Sequence, residues 1–483
     1  MDKTINQNLI IKIISIALII FSIIMEFISL DMVQSLIYCI WGILIGCITY
    51  IKSSKIRLFS PIYNSLVTIF FCYIFSSMYY YALPVDVMGN NSLAGQAIMN
   101  EINVIYSLFL FSVLLPIFMY IFVNKKSIKI KYFAQNLLKN DTNLKVTICN
   151  IIFFFFIILS FKYTSMSIFD AFLSSGEFRR LLSNGSISTL YSLIISVFIF
   201  VYILILKDIM MKTNYVTKYN KIILITEIML WSFICGSKGM LIYNVIFPFV
   251  IIYTFFKKIR FKHIIVMLIG IIFIVTYSSL LNKFRVSGAD MVVNGDYSSL
   301  KNIQFIETIA GRNDNFANSV QFFKKVNNGS LYIFNDFNFN KEITNQLLKP
   351  LPKYFRNKIS QGDFDYFGTE FSKILYPDAV YIQHATFEFG IVANLFWCLG
   401  LFGVLIGGFL IGLFIIFIEN LFNRYMYCDT FLVLYFCIFY SLFMSIFMVG
   451  IINIANTLML LYKLPIILII IYLFKKRISF IVK

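Results

Sequence analysis

The chain has 483 residues, 60% of them hydrophobic, 18% aromatic and 13% charged, with a formal net charge of +18. Many stretches of about 18 or more residues lack charge, long enough to cross a ~30 Å hydrocarbon core as helix, which argues against a string of soluble domains. The basic balance could suit nucleic acid, but the cations alternate between successive connections as membrane topology requires, which argues against that partner.

Taken in chain order, the apolar runs predict an all-α, polytopic integral membrane protein with about twelve transmembrane helices. They fall at roughly 9–28, 33–51, 62–82, 102–123, 146–163, 187–206, 222–236, 239–256, 263–282, 391–418, 430–449 and 455–474. The first run has no small-residue cleavage pattern and reads as a retained span. The seventh is short, and the run 391–418 is long enough to cross as one tilted helix. With the N-terminus inside, the inner connections carry Lys52, Lys55 and Arg57, then Lys125, Lys126, Lys129, Lys131, Lys139 and Lys145. Lys207, Lys212, Lys218 and Lys221 follow, then Lys257, Lys258, Arg260 and Lys262, and the C-terminus adds Lys475, Lys476, Arg477 and Lys483. The alternate short connections hold almost no cations, so both termini are expected in the cytoplasm.

This divides the chain into 1–282 with spans one to nine, 283–390 as one large extracytoplasmic (periplasmic) loop with short helices, and 391–483 with the last three spans. Within the loop, Phe316, Val320, Phe323 and Val326 recur at helical spacing after Asn313 and Asp314, which are good capping types. "KPLPKYFRNK" (349–358) is a rigid, basic, aromatic segment. The smaller outer loop 164–186 holds Arg179 and Arg180 among apolar residues suited to interfacial helices. In "FICGSKGMLIY" (233–243), Lys238 sits between Gly236 and Gly239 in an outer turn, where the charge rule disfavours it. The eight cysteines lie in or beside apolar runs, form no CxxC, and read as small buried hydrophobes rather than metal ligands.

Outer cations at Arg179, Arg180, Lys238, Arg285, Arg312 and Arg356 suit an anionic head group in the outer leaflet, and a lipid diphosphate fits, because Arg forks and Lys point charges both bind phosphate. Each also has a plainer role as a head-group contact or loop ion pair. His384 and Glu388 are four residues apart beside the tenth span, and either has the chemistry of a general base. Lys463 lies eleven residues before the end of the last span, roughly 16 Å of helix, too deep to snorkel easily. It reads as a substrate contact, as the partner of a carboxylate, or as a sign that the last span has other bounds.

Three segments resemble one family. "GSKGMLI" is similar to the Gly-Ser-Arg-Gly turn between two mid-chain spans of the O-antigen polymerase (Wzy) family, the bacterial oligosaccharide repeat-unit polymerases. "LPKYFRNKI" resembles that family's proline-basic-aromatic segment late in the large outer loop, and "FEFGIVANLFWCLGLFGVLIGGFLIGLF" (387–414) resembles its loop-to-span junction. Lys238 stands where arginine is usual, which keeps the charge and loses the bidentate fork. The resemblance implies a metal-independent, cofactor-free glycosyltransferase of the bacterial inner membrane. It would transfer a growing glycan from undecaprenyl diphosphate to an incoming lipid-linked repeat unit, making O-antigen or capsular polysaccharide. A cationic site would hold the leaving diphosphate and a base would take the acceptor proton. Partners would be the lipid-linked glycan, membrane lipid and a polysaccharide chain-length regulator. A lipid-linked oligosaccharide flippase, an O-antigen ligase and a structural scaffold are the rival readings.

Overall fold

The computed structural model describes residues 7–82, 93–123, 137, 141–173, 178, 181–182, 187–234, 245–257, 319–320, 322–324, 390–439 and 454–475. Among them every regular element is helical. The order is α1 Gln7–Ile28, α2 Met32–Ile51, α3 Pro61–Ala82, α4 Leu93–Val123, α5 Thr142–Thr164, α6 Ile168–Leu173, α7 Ile187–Met211, α8 Lys218–Ile234 and α9 Phe247–Phe256. Then come α10 (390–399), α11 (401–425), α12 (429–439, π-helical from Tyr435) and α13 Ile454–Lys475.

Local chemistry sets several of the ends. Asp31 caps α2 by accepting from the Gln34 N–H at 3.2 Å, and Ser60 caps α3, where Pro61 costs no hydrogen bond at the first helical position. α3 receives a second cap from outside its own sequence: Glu419 Oε2 accepts the Ile62 N–H at 3.0 Å. α5 ends at Ser165 in the left-handed region (φ 54°). Glycines let helices touch. A Cβ on Gly42 would overlap Ser22 Oγ and one on Gly46 would overlap Ile19, so α2 lies close against α1. Gly408 and Gly412 of α11 meet Ser112 and Pro116 of α4 in the same way.

The helices gather around two cores. The first joins α1–α4 with Val320, Phe322, Phe323, α10 and the start of α11. The second joins α5, α7, α8, α9, α12 and α13 with the far end of α11. α11 therefore threads both, contributing Val404, Ile411 and Ile415 to one and Ile418 and Phe422 to the other.

Contacts also sort the chain by height. At one end Gln7 bonds the Thr254 carbonyl, Lys52 lies over Phe122, Arg57 lies over Phe255, Lys145 bonds the Phe474 carbonyl, and Lys207 pairs with Asp429. At the other end Leu30 bonds Tyr81, and Gln34 meets Asn100. Successive long helices thus alternate in direction, and among the described residues cations concentrate at the first end.

Seven helices are long and apolar enough to cross a membrane, so the chain is a helical membrane protein. α8 and α9 are shorter, and the expected span 263–282 lies outside the described residues. One expectation is corrected. The run 391–418 is not a single tilted helix, because the backbone breaks at Gly400 (φ 59°, ψ −143°). A Cβ on Gly403 would overlap the Leu395 carbonyl and one on Gly407 would meet the Leu395 side chain. In a continuous helix those residues would be about 12 and 18 Å apart along the axis. The chain folds back sharply, and α10 runs beside α11.

Candidate functional site

Irregular backbone at membrane depth survives only where protein or a polar cavity satisfies it. Two such features converge in the first core, beside a buried hydroxyl pair. α3 has a π-helical turn at Phe70–Phe75, a departure frequent at functional positions. Tyr73 within that turn is fully buried, and its hydroxyl is hydrogen-bonded to the Ile391 backbone, just after Gly390 (φ 80°). Tyr73 lies twelve residues into α3, about 18 Å of helix, so the start of α10 sits near mid-depth of the bundle. Beside it the Tyr106 hydroxyl of α4 donates to Ser319 Oγ at 2.8 Å. The Tyr73 and Tyr106 rings are 6.3 Å apart, and Tyr73 is 5.4 Å from Phe109.

Ser319, Val320, Phe322 and Phe323 are helical and buried, and Phe323 packs on Phe396 of α10 at 5.0 Å. Residues 319–320 and 322–324 of the long connection therefore lie inside the bundle, between α4 and α10. Lys324 follows directly, half-buried.

A second polar group lies toward the same end. The Tyr38 and Tyr81 hydroxyls both donate to Asn103 Oδ1, at 2.8 and 2.9 Å, and Asn103 Nδ2 donates to Gln34. Each hydroxyl is satisfied, so the group locks α2, α3 and α4 together. At the opposite, basic end, Lys207–Asp429, Lys221–Asp208 and Lys145–Asp141 are ion pairs with little or no exposure.

No family model, curated protein or solved structure matches this chain. The site has to be read from its own geometry.

Of the residues singled out by sequence, Lys238, Arg312, Arg285, Arg179, Arg180, Arg356, His384 and Glu388 lie outside the described residues. Lys463 falls within α13, and its side chain is outside those described. Sequence reasoning passed over Tyr73, Tyr106, Asn103 and Asn394, all buried here. Polar side chains inside apolar spans were the available signal. It also passed over Glu227, on the inner face of α8 at 8% exposure, whose Oε2 has no hydrogen-bond partner among the described residues. The neighbouring cavity between Phe153, Phe198, Tyr202 and Trp231 measures about 20 Å³, room for one water and no sugar. The first core is thus the better site: it combines inserted loop, broken helix and hydroxyl groups.

Proposed function

We propose that this protein is a membrane glycosyltransferase that polymerises undecaprenyl-diphosphate-linked repeat units into O-antigen or capsular polysaccharide on the outer side of the plasma membrane. The observation that carries this reading is the burial of Ser319, Val320, Phe322 and Phe323, from the long connection, inside the bundle beside Tyr106, next to the start of α10 at Tyr73. A loop that merely covered the mouth would leave a lipid-linked glycan in bulk water. One that enters the interior can shield a diphosphate donor from hydrolysis while hydroxyl and amide groups meet sugars. The ordered resemblance at 236–242, 351–359 and 387–414 agrees with it.

Twelve crossings are supported by parity. α9 ends at the basic end, where Phe255 and Phe256 meet Tyr427, while α11 starts at the opposite end. An odd number of crossings must intervene, and the apolar run 263–282 supplies one. The clustering of Lys52, Lys55, Arg57, Lys145, Lys207, Lys221, Lys257, Arg424 and Lys475 at one end supports a cytoplasmic placement for that end, and with it for both termini.

In this mechanism Lys238, Arg285 and Arg312 hold the leaving diphosphate, with Arg179, Arg180 and Arg356 at the rim and Lys463 as a deeper cation. Glu388, two residues before Gly390, or His384 accepts the proton of the attacking sugar hydroxyl as the new glycosidic bond forms and the bond to diphosphate breaks.

Broken helices at mid-depth also occur in transporters, so a flippase is the second reading. Purified protein given lipid-linked repeat units separates them: chain growth supports the polymerase, transbilayer movement without new linkages supports the flippase, and a single transfer supports a ligase. Lys238→Ala should nearly abolish polymer while Lys238→Arg keeps substantial synthesis. Equal polymer from the alanine variant at matched expression would remove Lys238 from the site.

A further inference from the structure

The second core holds an acid that the mechanism above does not use. The buried face of α8 carries Leu224, Glu227, Ile228 and Trp231, while Ile222, Ile223, Met229 and Leu230 are exposed. Glu227 is thus a carboxyl on the inward stripe of an apolar helix, about 13 Å along it from Lys218. Contacts on either side fix what it faces. Asn220, two turns earlier on the same side of α8, donates to Asn143 and Thr147 of α5, and its carbonyl accepts from Asn150 Nδ2 at 3.3 Å. Trp231, one turn later, packs on Phe153 and Phe156 of α5 at 6.1 and 5.2 Å. The two helices run parallel, and Glu227 lies on the α5 side between those levels. Helical side chains lean toward the N-terminus, which brings its carboxyl toward the level of Asn150.

Glu227 and Asn150 are 8% and 5% exposed, and neither Glu227 Oε2 nor Asn150 Oδ1 has a hydrogen-bond partner among the described residues. Both oxygens are acceptors, and the Asn150 amide N–H is already given to Asn220. What the two lack is a donor. The ionisable groups of the helices packed on α8 are engaged or turned away. Lys145 of α5 pairs with Asp141, Lys207 of α7 with Asp429, and Asp208 of α7 with Lys221. Lys162 and Tyr163 of α5 and Lys218 and Tyr219 of α8 are exposed, as is Asp170 of α6, which bonds Ser167. The Tyr202 hydroxyl of α7 donates to the Val245 carbonyl, and Cys149 of α5 is a half-buried free thiol. A carboxylate here is a desolvated charge with no described counter-charge, which is far costlier than a neutral acid. The acid also supplies the missing donor.

We propose that Glu227 and Asn150 form an intramembrane proton-binding site, in which the Glu227 carboxylic acid donates to Asn150 Oδ1 and ties α8 to α5. The ligand is a proton taken from water; its release leaves a carboxylate unmatched and loosens the second core. The site is separate from the Tyr73 and Tyr106 group and does not rest on the transferase reading.

Infrared spectra of the purified protein in neutral buffer test it. A protonated carboxyl has a carbonyl stretch distinct from that of a carboxylate, and wild type minus Glu227→Gln should contain that band. Its absence means an ionised Glu227 and overturns the site. Glu227→Asp keeps the carboxyl and should move the band, which carries the test if Glu227→Gln does not fold; a band left in place overturns the assignment. Asn150→Leu removes the acceptor, so the band should shift, and an unmoved band overturns the pairing. Thermal unfolding in detergent gives a second readout. Stability falls with rising pH wherever the folded state holds a proton that the unfolded chain has released. Wild type should therefore lose more stability than Glu227→Gln between neutral and alkaline buffer, and parallel losses overturn the site. Stabilisation of wild type by sodium over choline at equal ionic strength, lost in Glu227→Gln, would place a metal cation there and overturn the proton.

Discussion

Lys207 and Asp429 show what one buried charge demands of its neighbours. Lys207 is 4% exposed and Asp429 fully buried; they form an ion pair, and the second carboxylate oxygen accepts the Leu137 N–H at 2.7 Å. The adjacent Asp208 is also fully buried and is satisfied separately, by Lys221 at 2.7 Å, by Thr213 Oγ1 and by the Tyr215 N–H at 3.1 Å. Desolvating two charges is roughly offset by their pairing, so such a pair adds little net stability, yet breaking it is costly. Lys207→Met should destabilise the protein by about 3–5 kcal/mol by stranding Asp429. Lys207→Met with Asp429→Asn should lose clearly less, because the amide needs no counter-charge and can still accept from Leu137. Thermal unfolding in detergent reads both. Additive losses would mean the pair is not coupled.

At the level of elements, close approach of helices decides the architecture more than apolarity does. Without a hydrophobic drive between helices in lipid, small residues at the interface let backbones meet. Gly408 faces Ser112 and Gly412 faces Pro116, the proline inside α4. Gly408→Ala should cost about 1–3 kcal/mol by overpacking. Ser112→Gly in the same protein should restore part of that loss by vacating the overlapped volume, and no recovery in the double variant would place the strain elsewhere. Gly400→Ala acts differently. A side chain at φ 59°, ψ −143° is strained whatever the space around it, at about 1–3 kcal/mol. The reversal between α10 and α11 should loosen, and thiol labelling at Phe396→Cys should quicken.

Among the described residues of the molecule, alternating helix direction collects most cations at one end and leaves the buried residues 319–320 and 322–323 away from it. That division matches the charge rule for a cytoplasmic and an outer face. Cysteine placed at Ser330 should react with an impermeant reagent in intact cells, whereas cysteine at the exposed Ser54 should react only after lysis. The reverse pattern would invert the molecule and place the proposed chemistry on the wrong side for an outer-leaflet polymer.

The positions of α1 to α5 and α7 were legible because they depend on a local quantity, the length of an apolar run. The helical spacing of Val320 and Phe323 was legible for the same reason, and both are buried in the structure. Gly400 was not: the residues on both sides of it are equally apolar, and hydropathy does not record whether a chain continues or turns back. Nor was the site. Tyr106 and Ser319 are separated by 213 residues, and a tyrosine in an apolar run reads the same whether it faces lipid, core or an inserted loop. By itself the sequence determined that this is a helical membrane protein with cations on alternate connections, because bilayer thickness and membrane electrostatics act on short stretches of chain. Only the tertiary structure decided which buried groups meet, because that depends on helices packing closely enough to exclude water and to leave each inserted polar group a partner.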